Sequence, residues 1–250
     1  PLLTVNIPIG LQFRSNTGTI EVQSTSGLEV APGQTLALLG GDINLNGGKL
    51  NAPGGSIQLG AYEGNLLSAP VLAPGMNIRL SNGATISNNS TSETSGGNIK
   101  LHASDTVELS GNSAISGETQ GTGQGADAIV QTGSLTIREG AKISTVTSGM
   151  GSGGKISINA GELVQVSGMS PDGQMASSIE SATRDGGAGG DITITTGRLE
   201  LLDRAYVAAY TFEGGKGGNI TVDASESVFM RGTGSDDYNR LAGKAFQRNL

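Results

Sequence analysis

The sequence predicts an all-β fold, a parallel β-helix with three short strands in each coil. Three observations predict it. A unit with fixed internal spacing recurs, since Ile99 and Val107, Ile156 and Val164, and Ile220 and Val228 are each eight residues apart. Within each unit apolar and polar residues alternate, as in Ile99, Lys100, Leu101 and in Ile156, Ser157, Ile158. That is the signature of a strand with one solvated face. The runs are closed by Gly, Asn or Pro and nowhere follow a helical period, which rules out a βα repeat. A unit of this size cannot bury its apolar side alone, so copies must stack.

Composition agrees. The 250 residues include 42 Gly, 7 Pro, no Cys and no Trp, with aromatics at 3 %, so the core is aliphatic. Glycine without a Gly-X-Y period excludes collagen. The net charge is −7 and the 15 Lys and Arg are scattered. Neither nucleic acid nor an anionic membrane is expected as a partner. No apolar run reaches the ~18 residues of a membrane-spanning helix, so no membrane insertion is expected. The chain begins at Pro1 rather than Met, so it is expected to be a fragment with its export signal upstream.

Taken in order, residues 1–27 read as a lead-in strand segment, alternating from Leu3 to Phe13 and interrupted at Pro8. Residues 28–232 read as the coils, about seven or eight of them, which at the spacing of paired strands make a rod of roughly 35–40 Å. Residues 62–74 are expected to loop out. Ile78–Arg79–Leu80, Leu135–Thr136–Ile137 and Leu199–Glu200–Leu201 are equivalent, and the next strand's Ile86, Ile143 or Val207 comes six residues after each. Starts at Asn98, Asp127, Lys155, Asp191 and Asn219 are 29, 28, 36 and 28 apart, so an insertion is expected at 170–189. The stretches 90–97, 118–125 and 148–153 are expected on the same edge. Residues 233–250 are a polar tail outside the repeat, with a short helix around 240–247.

The units Gly–Asn/Asp–Ile–x–Ile–x–Ala and Gly–Ala–x–Ile–Ser, with the opening Pro1–Phe13 and the run Leu36–Ile43, resemble the repeats of filamentous-haemagglutinin-type exoproteins, especially the large cyanobacterial group. The resemblance covers residues 1 to about 232. It implies a right-handed parallel β-helix exported by two-partner secretion through an outer-membrane transporter. It also implies a secreted or cell-surface location and a structural, adhesive role toward host or surface glycans and proteins. The family's secretion domain carries an Asn-Pro-Asn signature, and that tripeptide does not occur here. The domain is therefore expected to lie upstream, and this segment is not expected to engage the transporter itself.

No catalytic, cofactor-binding or metal-binding residue is expected. His102 is the only His, flanked by inward Leu101 and Ala103, and without Cys it cannot make a zinc site or a His-dependent triad. The stretch from Gly186 to Asp191 resembles the opening of a calcium-binding nonapeptide but occurs once, and reads as turn glycines. A β-helix can also host a polysaccharide lyase or hydrolase, which needs two carboxylates on one face. Glu108, Glu139 and Glu162 are brought near one another by stacking, yet read as a solvated face. Tyr206, Tyr210 and Phe212 cluster in an aromatic-poor chain; they form either a surface contact for a sugar or partner, or the filling of a widened core corner. The adhesive shaft thus has two rivals, a carbohydrate-active enzyme and a truncated remnant without ligand.

Overall fold

The computed structural model describes residues 18–23, 27–62, 75–91, 95–212 and 215–232, together with the backbone of Arg240–Ala245. The expected strand within 1–17 and the loop at 63–74 lie outside the described residues. All described secondary structure is strand. The early coils hold β1 (Ile20–Val22), β2 (Leu28–Glu29), β3 (Thr35–Gly40), β4 (Ile43–Asn46), β5 (Lys49–Asn51) and β6 (Ser56–Ala61). They continue with β7 (Ile78–Ser81), β8 (Thr85–Ser87), β9 (Ile99–Ala103), β10 (Thr106–Leu109) and β11 (Ala114–Gln120). In the later coils the first two strands merge into one bent strand. These are β12 (Ala128–Arg138), β14 (Ile156–Ser167), β16 (Ile192–Leu202) and β18 (Ile220–Arg231). They alternate with β13 (Lys142–Ser148), β15 (Ser178–Thr183), β17 (Tyr206–Thr211) and β19 (Arg240–Ala245).

Every strand pairs in parallel with its equivalents one coil away, which makes the molecule the expected parallel β-helix. The first ladder stacks Leu36, Ile57, Ile99, Ala128, Ile156, Ile192 and Ile220. The second stacks Ile20, Ile43, Ile78, Val107, Leu135, Val164, Leu199 and Val228. The third stacks Leu28, Leu50, Ile86, Ile115, Ile143, Ile179 and Val207. Ile99 and Ile156 are fully buried, and Ile220, in the last described coil, packs against the core. Each buried Ile or Leu contributes about 1.5–3 kcal/mol by leaving water, so these columns hold the rod together.

The corner between second and third ladders is a tight turn repeated in four coils, closed by amide-to-carbonyl bonds from Ala84 to Ser81, Ser113 to Ser110, Ala141 to Arg138 and Ala205 to Leu202. Its two central residues both have positive φ: Asn82–Gly83, Gly111–Asn112, Glu139–Gly140 and Asp203–Arg204. Paired left-handed residues favour Gly and Asn, which is why these letters punctuate the repeat. At the corner between third and first ladders glycine is required for a different reason. A Cβ on Gly97, Gly154, Gly190 or Gly218 would stand 1.9–2.1 Å from a carbonyl oxygen of the coil below. Backbones stack there with no room for side chains. Inside that corner the column Thr119, Thr147, Thr183 and Thr211 is fully buried. Thr183 and Thr211 both donate to the carbonyl of Gly187, at 2.7 and 3.3 Å.

Three expectations are corrected. Among the described residues parallel pairing is already present at Ile20, ahead of residue 28. Arg240–Ala245 is a strand on the edge of β17, not a helix, because that edge offers unpaired amides and carbonyls which a helix would leave unmet. The extra residues lie at 168–177, between β14 and β15, where the neighbouring coils use 139–141 and 203–205. They sit at the second-to-third corner, opposite to the expected edge, and the rest of 170–189 includes β15, an inner strand buried along its length.

Candidate functional site

The inserted loop and β17 together build a cavity on the rod's side. In β17 the inward residues are Val207, Ala209 and Thr211, all fully buried. The alternation therefore turns Tyr206 and Tyr210 outward. Neither ring fills the core. Register places Ala208 beside Glu180 one coil below, so the two tyrosines flank that carboxylate. The Tyr206 hydroxyl donates to Glu180 Oε2 at 3.0 Å and the Tyr210 hydroxyl to the same oxygen at 3.4 Å. Ser144 donates to Oε1 at 3.1 Å, and Lys142 Nζ stands 3.8 Å from it. Glu180 is only 8 % exposed although it points away from the core. A buried carboxylate needs such a set of partners to stay charged.

The same cluster sets the tyrosine acidities. Burial, and then the negative charge of Glu180, push the Tyr206 hydroxyl up to about 12. Tyr210 is raised by the same two causes and by Tyr206, with Arg184 pulling the other way. Phe212 is 45 % exposed and packs edge-on against Tyr210, ring centres 5.2 Å apart.

Over this floor the 168–177 loop folds back on itself. Met169 and Ala176 form an antiparallel bridge, and Ser170 N–H donates to the Met175 carbonyl at 2.7 Å. Asp172 closes the tip: it accepts the Ser170 hydroxyl and the Gln174 amide, and these bonds lower its pKa. Between loop, corner and strand lies a cavity of about 410 Å³, lined by Lys142, Glu180, Arg204, Tyr206, Met169 and Met175 among others.

The other sequence candidates are placed elsewhere. His102 points outward as expected but is not freely solvated: Tyr62 covers it with ring centres 5.0 Å apart, and burial lowers its pKa, opposed by its side-chain hydrogen bond with Gln131. Asp191 accepts the Asn219 backbone and side-chain amides at 2.8 and 3.2 Å. Asp127 accepts the Lys155 backbone amide in the same way two coils earlier. The calcium-like run therefore ends in a coil-to-coil clasp. Among the described residues no three acidic or His side chains converge on a metal position. Glu108 and Glu139 are both bonded to Arg138, which stands between them, and Glu108 also faces Arg79 at 3.8 Å. Glu162 accepts the Ser134 hydroxyl at 3.4 Å. These carboxylates are not a free catalytic pair. Asp236 and Asp237 lie outside the described residues.

Glu180, Lys142, Arg204 and the loop methionines were missed by the sequence reading. One signal was available: Arg204 occupies a corner position filled by Gly83, Asn112 and Gly140 in the other coils.

Residues 1–107 match the family model of the TPS secretion domain. No curated protein and no solved structure matches the chain. The match moves one boundary. The secretion domain, expected wholly upstream, has its match within this chain. The physical reason is plain in the ladders: Ile43, Ile78 and Val107 inside the match occupy the same column as Leu135 and Val164 beyond it. The matched residues and those beyond them are built from one repeat, and no seam of composition separates them. A TPS domain implies a secretion partner, a transporter, and a secreted product, and its family is one of exoproteins, not of enzymes. Residues 1–107 of the chain are thus similar to the secretion domain of two-partner-secretion exoproteins, the family that the repeats also resemble.

Proposed function

We propose that the chain is a non-enzymatic adhesive segment: the start of a surface-displayed shaft whose coils carry a contact site on their side. The observation that supports it most directly is the loop-covered cavity on an otherwise regular solenoid. A hydrogen-bonded rod is a rigid support, and the one long second-to-third corner among the described coils creates concavity where its equivalents are tight turns. Contacts of modest strength become firm when many rods act together on one surface. The location that follows is the bacterial cell surface, with host or surface glycans and proteins as partners.

The enzymatic rival calls for paired carboxylates beside an exposed aromatic. The cavity has the aromatic, Tyr206, but its lining supplies one carboxylate, Glu180, already bonded to three hydroxyls. Glycoside hydrolysis requires two.

The test uses the purified chain coupled to beads. Beads should adhere to glycan-coated surfaces above the level of albumin-coated beads, and the soluble chain should leave acidic and neutral polysaccharides at constant chain length. Adhesion no better than albumin refutes the adhesive role. Depolymerisation of any polysaccharide establishes the enzyme instead.

A further inference from the structure

We propose that the cavity beneath the 168–177 loop binds an uncharged saccharide, a pyranose ring held by its C–H face and by some of its hydroxyls. The inference deepens the adhesive reading and rests on it for its biological setting. Size is the first argument. About 410 Å³ lies near the lower end of small-ligand sites and has room for a single sugar ring.

Charge is the second. The ionic groups that line the cavity are compensated within the protein. Lys142 Nζ faces Glu180 Oε1 at 3.8 Å, and Arg204 is engaged as well. An anion would draw Lys142 away from a carboxylate that is only 8 % exposed, leaving it buried without its cation. A cation would find both Glu180 oxygens already taken by the hydroxyls of Ser144, Tyr206 and Tyr210. A ligand without charge disturbs none of these bonds.

Hydrogen-bonding capacity is the third. The floor is saturated, since the Tyr206 hydroxyl is bonded to both Glu180 and Ser178. Two lining groups keep capacity. The Lys142 ammonium carries three protons, and at 3.8 Å Glu180 is too far to take one in a hydrogen bond. Gln174 gives its backbone N–H to Asp172, while its side-chain amide takes no partner among the described residues. One ammonium and one amide, donors and an acceptor together, suit hydroxyls. A wholly apolar ligand would strip water from both and give no bond in return.

Surface is the fourth. Met169, Met175 and Ala176 line the loop side, and Tyr206 lines the strand side. The bonds of its hydroxyl orient the Tyr206 ring before any ligand arrives. Aromatic and thioether walls suit the C–H face of a pyranose.

The experiment titrates the whole chain with the methyl β-glycosides of glucose, galactose, mannose and N-acetylglucosamine, read by calorimetry and by amide chemical shifts. At least one should bind saturably and move the amides of 168–177 and Tyr206. The uronic acid and 2-amino forms of that same ring should bind about tenfold more weakly or worse, because each must compete with the Lys142–Glu180 pair. N-acetyl-leucinamide, an uncharged apolar probe, should not displace the sugar. Gln174→Ala and Met175→Ser lie at exposed loop positions away from the core, and each should weaken binding roughly three- to tenfold, the loss of one neutral contact. No saturable binding by any of the glycosides, a charged form as tight as its neutral parent, displacement by N-acetyl-leucinamide, or unchanged affinity in either variant would each overturn the proposal. If every glycoside fails while the beads still adhere, only the cavity assignment falls. If one binds while the beads do not adhere, the adhesive role falls and the site stands.

Discussion

Gly154 and Gly161 stand seven residues apart in the same coil, and the structure asks opposite things of them. A Cβ on Gly154 would lie 1.9 Å from the Ala126 carbonyl oxygen, while one on Gly161 meets nothing within 4 Å. Gly154→Ala should therefore destabilise by about 1–3 kcal/mol, the cost of forcing extra volume into a packed site. Gly161→Ala should be neutral or stabilise by up to about 1 kcal/mol, through lost freedom in the unfolded chain. Urea midpoints of the two variants check this, and equal shifts would contradict the stacked-backbone account. Tyr206 allows a second residue-level prediction. Its folded pKa is raised to about 12 against the usual 10.0, so the folded state holds its proton longer than the unfolded one. The stability linked to that proton is complete below pH 10 and is lost as pH climbs toward 12. Ultraviolet titration should show two late tyrosinate transitions, removed in the Tyr206→Phe/Tyr210→Phe double variant. The thermal midpoint of the parent should also fall more steeply above pH 10 than that of the double variant.

At the level of elements, the 168–177 loop is an addition to a corner that works without it, since 139–141 and 203–205 turn the same angle in the neighbouring coils. Replacing 170–175 with Asn-Gly, the two-residue turn suited to an antiparallel pair, should join the Met169–Ala176 bridge directly. The expected outcome is a retained strand signature in circular dichroism, a thermal midpoint within a few degrees of the parent, and loss of bead adhesion. Collapse of the whole rod would show that the loop is structural instead. The ladders were legible in sequence because each of their columns repeats an aliphatic residue, so Ile99, Ile156 and Ile220 align by spacing alone. The cavity was not. Its parts, Lys142, Glu180 and Tyr206, come from β13, β15 and β17, neighbours in the third ladder but separated in the chain by β14 and β16. Their adjacency depends on knowing where the extra residues sit, and a 36-residue interval does not say at which corner the excess lies. The aromatic cluster was noticed for its rarity, but its direction follows from register, in which Val207 takes the inward column and leaves Tyr206 outside.

For the molecule as a whole, the stacking of like on like makes stability a sum over coils and the interfaces between them. The interior of the rod is closed at its middle coils: Leu135, Val164 and Leu199 in the second ladder are fully buried. In the last described long strand the same column is open, with Val228 and Met230 48 % and 49 % exposed. An inward position covered on one side only contributes less, so truncations in one column should differ with height. Leu135→Ala removes a side chain packed both above and below, and should cost about 2–5 kcal/mol. Val228→Ala, already half in water, should cost under about 1 kcal/mol, since only a fraction of the transfer and cavity terms applies there. Native-state hydrogen exchange reads the same gradient without mutation. Amides of β12 and β14 should exchange only through large openings, and those of β18 should exchange first, through detachment of the end coil. A Leu135→Ala variant should then lower protection on both sides of its coil, whereas Val228→Ala should change protection in β18 alone. If both substitutions reduced protection evenly along the chain, the rod would be unfolding as one indivisible unit, and the nearest-neighbour description of its ladders would have to be given up.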